Sequence, residues 1–153
     1  MIYAAAAVSD FYVHFKDIRE HKIQSQEGDI HLRLHSVPKV IYMVKHIWCP
    51  SAFLVTFKLE TDPELLETKA LTHLGDRYHS QAVVANRLEE RARRVSLFLN
   101  MPSIDSQPRV VKRIFQVPSE NSDGLNEQNL ETELIACLCE FHNKFISNAQ
   151  SLS

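Results

Sequence analysis

The stretch from Phe53 to Ala85 constrains the fold more than any other part of the chain. Phe53-Leu54-Val55-Thr56-Phe57 is a short, almost wholly apolar run of the kind buried on both faces of a sheet. Asp62-Pro63 then supplies a helix start with proline in the first turn, after which Leu66, Ala70 and Leu74 return on one helical face. Ala82-Val83-Val84-Ala85 is a second buried strand. Strand, helix and strand in that order predict an α/β fold, a Rossmann-like parallel-type sheet flanked by helices. A chain of 153 residues with 44% hydrophobic content is long enough for one domain and a real core.

The flanking segments extend that pattern. Ile2-Tyr3-Ala4-Ala5-Ala6-Ala7-Val8 reads as a strand buried on both faces, although four alanines also suit a helix. Ile30 to His35 alternates strictly, with Ile30, Leu32 and Leu34 on one side and His31, Arg33 and His35 on the other. It predicts a half-exposed strand in an antiparallel excursion near residues 23–35. Ser36 before Val37-Pro38 resembles an N-cap, and Val37, Ile41, Val44 and Trp48 recur at helical spacing over roughly three turns. Residues 87–94 read as a short solvated helical turn in which Glu89–Arg93 and Glu90–Arg94 have favourable spacing. Val95 to Leu99 and Val110 to Val117 resume strand character, and 118–129 is a polar loop. Leu130, Leu134, Leu138, Phe141 and Phe145 then mark a long amphipathic helix.

Composition removes several function classes. Seventeen Lys and Arg against nineteen Asp and Glu leave a net charge of -2, too little field to draw in nucleic acid or a membrane surface. Arg91, Arg93 and Arg94 lack interleaved aromatics and have two glutamates beside them. Three cysteines without a Cys-x-x-Cys favour a reducing, cytoplasmic setting over a disulfide framework or zinc ribbon. Cys137 and Cys139 sit two apart on a helix and point different ways, as packing residues do. The first apolar run falls short of the ~20 residues that span a bilayer and lacks the basic leader of a secretory signal. Gly28, Gly75 and Gly124 are the only glycines, so no glycine-rich phosphate loop can be written, nor a Gly-x-Ser-x-Gly elbow. No metal site is expected: Arg33 stands between His31 and His35, and no carboxylate completes a ligand set.

Two residues draw notice from pattern. Asp10 follows the first apolar run, where open α/β sheets place ligand-binding groups, although a turn or cap aspartate is the commoner reading. Lys22 lies in irregular sequence and by pattern alone is a surface lysine. Pattern stops at an α/β ligand-binding module.

Five motifs go further. Ala5-Ala6-Ala7-Val8-Ser9-Asp10-Phe11-Tyr12-Val13, Glu20-His21-Lys22-Ile23-Gln24-Ser25, Val37-Pro38-Lys39, Phe57-Lys58-Leu59-Glu60-Thr61-Asp62-Pro63 and Val83-Val84-Ala85-Asn86 follow one another over residues 2 to about 100. In this order they resemble the C-terminal half of eukaryotic phosphopantothenoylcysteine synthetase. The resemblance implies a ligase of coenzyme A biosynthesis that activates the carboxylate of 4′-phosphopantothenate with ATP or CTP and Mg²⁺. The amine of cysteine then displaces the nucleotide from an acyl-nucleotide intermediate to form an amide. It further implies that Lys22 is catalytic, its ammonium stabilising charge between two anionic substrates. Ala6 and Ala7 would admit the nucleotide close to the backbone, with Asp10 oriented toward it. Pro38, Lys39, Val40 and Ile41 would border it at a helix start, Phe57 would pack against the base, and Asn86 closes the fifth motif. Family members are typically homodimers.

The chain departs from the family in two ways. Leu71 and Gly75 occupy positions that are basic in relatives, leaving Lys69 and Arg77 as poor substitutes. The family's first half, with its Asn-x-Ser-Ser-Gly-type motif, has no counterpart here. The expectation is therefore a single partial domain over 1–153, a truncated form of the ligase. A non-catalytic α/β nucleotide-binding or interaction module is the alternative.

Overall fold

The computed structural model describes residues 1–6, 8–24, 28–75, 77–101, 109–117 and 130–151. They form two compact units, a larger one of Met1–Ala5 and Ile41–Ser153 and a smaller one of Ala6–Val40. The larger unit carries a five-stranded sheet of β1 (Ile2–Ala4), β4 (Leu54–Glu60), β5 (Ala82–Arg87), β6 (Arg94–Met101) and β7 (Arg109–Gln116), side by side in that order. The smaller unit holds a two-stranded antiparallel ribbon, β2 (Phe11–Val13) and β3 (Leu34–Ser36).

β1, β4 and β5 run parallel, joined between β4 and β5 by α2 (Pro63–Leu74). Asp62 accepts hydrogen bonds from the backbone N–H groups of Glu64 at 2.9 Å and Leu65 at 3.4 Å, satisfying donors that the helix cannot. Leu66, Ala70 and Leu74 bury the predicted face against Val83, Ala85 and Phe98. Strand alternation turns Val55, Ala82, Val84, Val95, Leu97 and Leu99 the other way, onto Leu134, Cys137, Leu138 and Phe141 of α3 (Leu130–Gln150). The sheet therefore has a helix on each face. Cys137 is buried and Cys139 exposed, as their two-residue spacing requires.

Four expectations are corrected. The sheet is mixed, because β5–β6 and β6–β7 pair antiparallel. Only residues 88–93 separate β5 from β6, far fewer than a parallel crossover needs. The first strand ends at Ala4 instead of Val8, and it is an edge strand with Tyr3 40% exposed. An apolar run does not distinguish a central strand from an edge. The alternating Ile30–His35 segment contributes only Leu34–Ser36, antiparallel as expected but facing the other way. Ile30, Leu32 and Leu34 are exposed, while His35 is half-buried beside Tyr12 and His14. Aromatic stacking around His35 outweighs the aliphatic face.

The helix expected from Val37 begins at Val40. Ser36 belongs to β3 opposite Phe11, and Val37 N–H donates to the carbonyl of Asp10 at 2.9 Å, so the chain stays extended and Ser36 is not a cap. One turn, α1 (Val40–Met43), passes into a π-helical turn over Val44–Trp48, which leaves Trp48 57% exposed. The Lys45 ammonium donates to the carbonyls of Pro50 and Ala52, both at 2.9 Å, and closes that turn. The 118–129 loop lies outside the described residues.

Candidate functional site

Open α/β sheets bind ligands beyond the carboxyl ends of their parallel strands. In the larger unit those ends are Phe57–Glu60 of β4 and Ala85–Arg87 of β5. Phe57 is partly buried against the α3-side core. Asn86 is two residues beyond Val84, so it shares that face, and Val84 is the ladder partner of Phe57. The structure thus brings Phe57 and Asn86 together on one side of the same two strand ends.

Asn86 is only 8% exposed. Its Nδ2 donates to the carbonyls of Arg91 at 3.4 Å and Arg94 at 3.5 Å, tying the β5–β6 connection back to the strand. Its Oδ1 is buried and has no hydrogen-bond partner among the described residues. A buried acceptor left unpaired is costly, and at a strand end it is suited to a donor on a ligand. Lys69, the expected substitute for the family's basic helix residues, is committed to Glu60 at 2.7 Å.

Ile41 also belongs to the larger unit, half-buried in α1. The remaining candidates lie in the smaller unit. Asp10 immediately precedes β2, and its carboxylate is ion-paired with Lys39. That contact joins two residues singled out separately in the sequence. Ala6, Lys22, Pro38, Lys39 and Val40 are exposed. Lys22 sits in irregular backbone whose carbonyl accepts from Gln24 Nε2 at 3.2 Å. Ala7 lies outside the described residues.

Sequence reasoning overlooked Arg87. It expected Glu89 and Glu90 to serve Arg93 and Arg94, yet Glu90 meets Arg87 at 2.7 Å and Glu89 meets it at 3.2 Å, while the Glu90–Arg94 separation is 3.8 Å. The available signal was the strand ladder, which turns Arg87 toward the same face as Ala85. A separate cavity of about 460 Å³, lined by Phe53, Leu99, Phe141 and Phe145 among others, opens at the amino ends of β4 and β5, away from the carboxyl ends that carry Phe57 and Asn86. Among the described residues no three His, Cys, Asp or Glu side chains are grouped to hold a metal ion. No helix among them is long and apolar enough to cross a membrane.

Residues 1–107 match the family model of the DNA/pantothenate metabolism flavoprotein C-terminal domain. The chain is 39% identical over 146 residues to phosphopantothenate–cysteine ligase 2 of Oryza sativa subsp. japonica, covering 95% of this chain and 40% of that protein. It is 36% identical over 151 residues to the Homo sapiens phosphopantothenate–cysteine ligase, covering 99% and 41% respectively. A solved structure of a Cab2 mutant in complex with phosphopantothenate-cysteine superimposes with a TM-score of 0.71 at 27% identity, over 94% of this chain and 44% of that one. The chain thus spans about 40% of the length of the curated relatives it matches. The match runs from β1 through β6 and includes the strand ends that carry Phe57 and Asn86: the chain belongs to the DNA/pantothenate metabolism flavoprotein C-terminal domain family.

Proposed function

We propose that this chain contributes to ligation of cysteine to 4′-phosphopantothenate, with ATP or CTP as co-substrate and an acyl-nucleotide intermediate. The observation that carries this reading is the 36–39% identity to phosphopantothenate–cysteine ligases along nearly the whole chain. The orphaned Asn86 Oδ1 beside Phe57 supports it, because a nucleobase offers both a flat face for the ring and exocyclic donors for the amide. Ala6 and Ala7 would admit the nucleotide, Pro38, Lys39, Val40 and Ile41 would border it, and Asp10 would orient it. Lys22 would stabilise the charge that develops as the acyl-nucleotide forms. Mg²⁺ would be held through the nucleotide's phosphates.

A homodimer and a cytoplasmic setting belong to the same proposal. Phe11, Phe15, Ile18 and Leu32 of the smaller unit are exposed large apolar groups that a second copy of the chain would cover. Cys49, Cys137 and Cys139 are all free thiols, which suits a reducing compartment.

A second reading, a nucleotide-binding module without turnover, is favoured by one observation. Lys69 is spent on Glu60, and Leu71 and Gly75 offer no charge to a triphosphate. The test is to measure ATP and CTP binding by the chain, then amide formation from phosphopantothenate and cysteine. The assay is run alone and with the segment of the rice ligase that this chain does not cover. Product in either mixture supports the ligase; nucleotide binding without product in both supports the module.

A further inference from the structure

We propose that the α2 face of the sheet carries a binding site for a phosphate group, inorganic or as a monoester, built from Arg87, Arg94, Ser96 and Lys112. The site lies on the face opposite Phe57 and Asn86 and does not depend on the nucleotide reading. Strand alternation creates it. Ala85 and Phe98 point toward α2, so Arg87 on β5 and Ser96 and Arg94 on β6 point the same way, and Lys112 on β7 is the ladder partner of Phe98. Together they line a cavity of about 170 Å³ beside the first turns of α2.

Charge and donor geometry both select an oxyanion. Arg87, Arg94 and Lys112 face Glu67 and Glu90 in the lining, three cations against two carboxylates. Glu90 and Glu89 take the terminal nitrogens of Arg87, at 2.7 Å and 3.2 Å, but its Nε is buried and has no partner among the described residues. Arg94 stands 3.8 Å from Glu90, too far for a hydrogen bond, so its planar fork of donors is not consumed there. Lys112 donates a hydrogen bond to Glu67 at 2.8 Å and lies 5.1 Å from the centroid of the Phe98 ring, which fixes its position. Two guanidinium groups, an ammonium and a hydroxyl-bearing side chain lining one small space suit a tetrahedral oxyanion, whose several acceptors take donors from different directions. A dianion also competes with the resident carboxylates better than another carboxylate would.

The experiment uses the whole 153-residue chain labelled with nitrogen-15, following the arginine Nε–H resonances at constant ionic strength. Inorganic phosphate, glycerol phosphate and acetate are titrated separately. The resonances of Arg87 and Arg94 are expected to shift together and saturably with phosphate or its monoester, and the tighter of the two identifies the source of the group. Arg94→Gln should weaken binding at least tenfold and Ser96→Ala severalfold, with unchanged circular dichroism. Absence of saturable shifts in the wild type, equal response to acetate, or full affinity in a folded Arg94→Gln variant would overturn the proposal. The wild-type titration decides the matter even if a variant fails to fold.

Discussion

His73 of α2 and Thr56 of β4 meet inside the core, with Nδ1 3.1 Å from Oγ1, and both residues are buried. The Tyr78 ring meets the imidazole at a tilt of 60°, with centroids 4.5 Å apart. This polar contact fixes α2 to the parallel sheet by direction as well as by area, as the Lys69–Glu60 ion pair also does. Thr56→Val keeps the shape and removes the hydroxyl, leaving the imidazole nitrogen without that partner. A loss of about 1–3 kcal/mol in unfolding free energy is expected from chemical denaturation. An unchanged midpoint would mean that the contact adds nothing.

Asp62 begins the same helix. Because its carboxylate serves two N–H groups of the first turn, Asp62→Ala should cost about 1 kcal/mol, whereas Asp62→Asn should cost much less. Thermal unfolding of the two variants in parallel separates the capping hydrogen bond from the negative charge.

Lys45 gives a pH-dependent prediction. Burial lowers its pKa from the ordinary 10.5. In the interval between the lowered value and 10.5 the unfolded chain binds more protons than the folded one, so this group's contribution to stability rises with pH. Lys45→Met should destabilise the fold at neutral pH by about 1–3 kcal/mol, since the carbonyls of Pro50 and Ala52 lose their donor. The gap between wild type and variant should widen as pH climbs toward 10.5. Tyr3, whose pKa burial raises, is present in both proteins and cancels in the comparison. A gap that narrows over this interval would contradict the assignment.

The contrast between α2 and α1 shows what was legible from sequence. Asp62-Pro63 and the Leu66, Ala70, Leu74 stripe specify α2 because cap, first residue and buried face agree locally. Ser36-Val37-Pro38 offers the same local signals, and they are overridden by a long-range hydrogen bond from Val37 to Asp10 that no local pattern encodes. Pairing partners of short strands are non-local in the same way, so the side toward which His35 turns was hidden. Among candidate residues, the placement of Phe57 and Asn86 on one face follows from strand alternation once the two strands are taken as parallel neighbours. Arg87 was hidden because its significance lies in an unpaired nitrogen, which is a property of packing and not of residue order.

The smaller unit should be where self-association is lost most easily. None of its described residues is buried, and Leu32 is 66% exposed. Two three-residue strands are marginal by themselves. If a second copy covers this surface, Phe15→Glu and Leu32→Glu should convert dimer to monomer, as read by sedimentation equilibrium, without altering unfolding of the larger unit. An unchanged mass in both variants would place the interface elsewhere or remove it.

Lys22 separates transition-state stabilisation from simple anion binding. An exposed lysine is well solvated, so in the resting protein its attraction for a nucleotide is weak and screened. On the proposed ligase reading, the same ammonium would act more strongly as charge builds between the phosphopantothenate carboxylate and the nucleotide phosphate in a site that excludes water. In a preparation that makes the amide, Lys22→Ala should therefore lower turnover by about 100-fold or more while changing nucleotide affinity by less than about threefold. Lys22→Arg keeps the charge but moves it and broadens it, so partial activity with unaltered nucleotide affinity is expected. Single-turnover product formation and equilibrium nucleotide binding, measured on the same samples, provide the two quantities. Equal losses in both would make Lys22 an anchor for the ground state, and full activity in the alanine variant would remove it from the reaction.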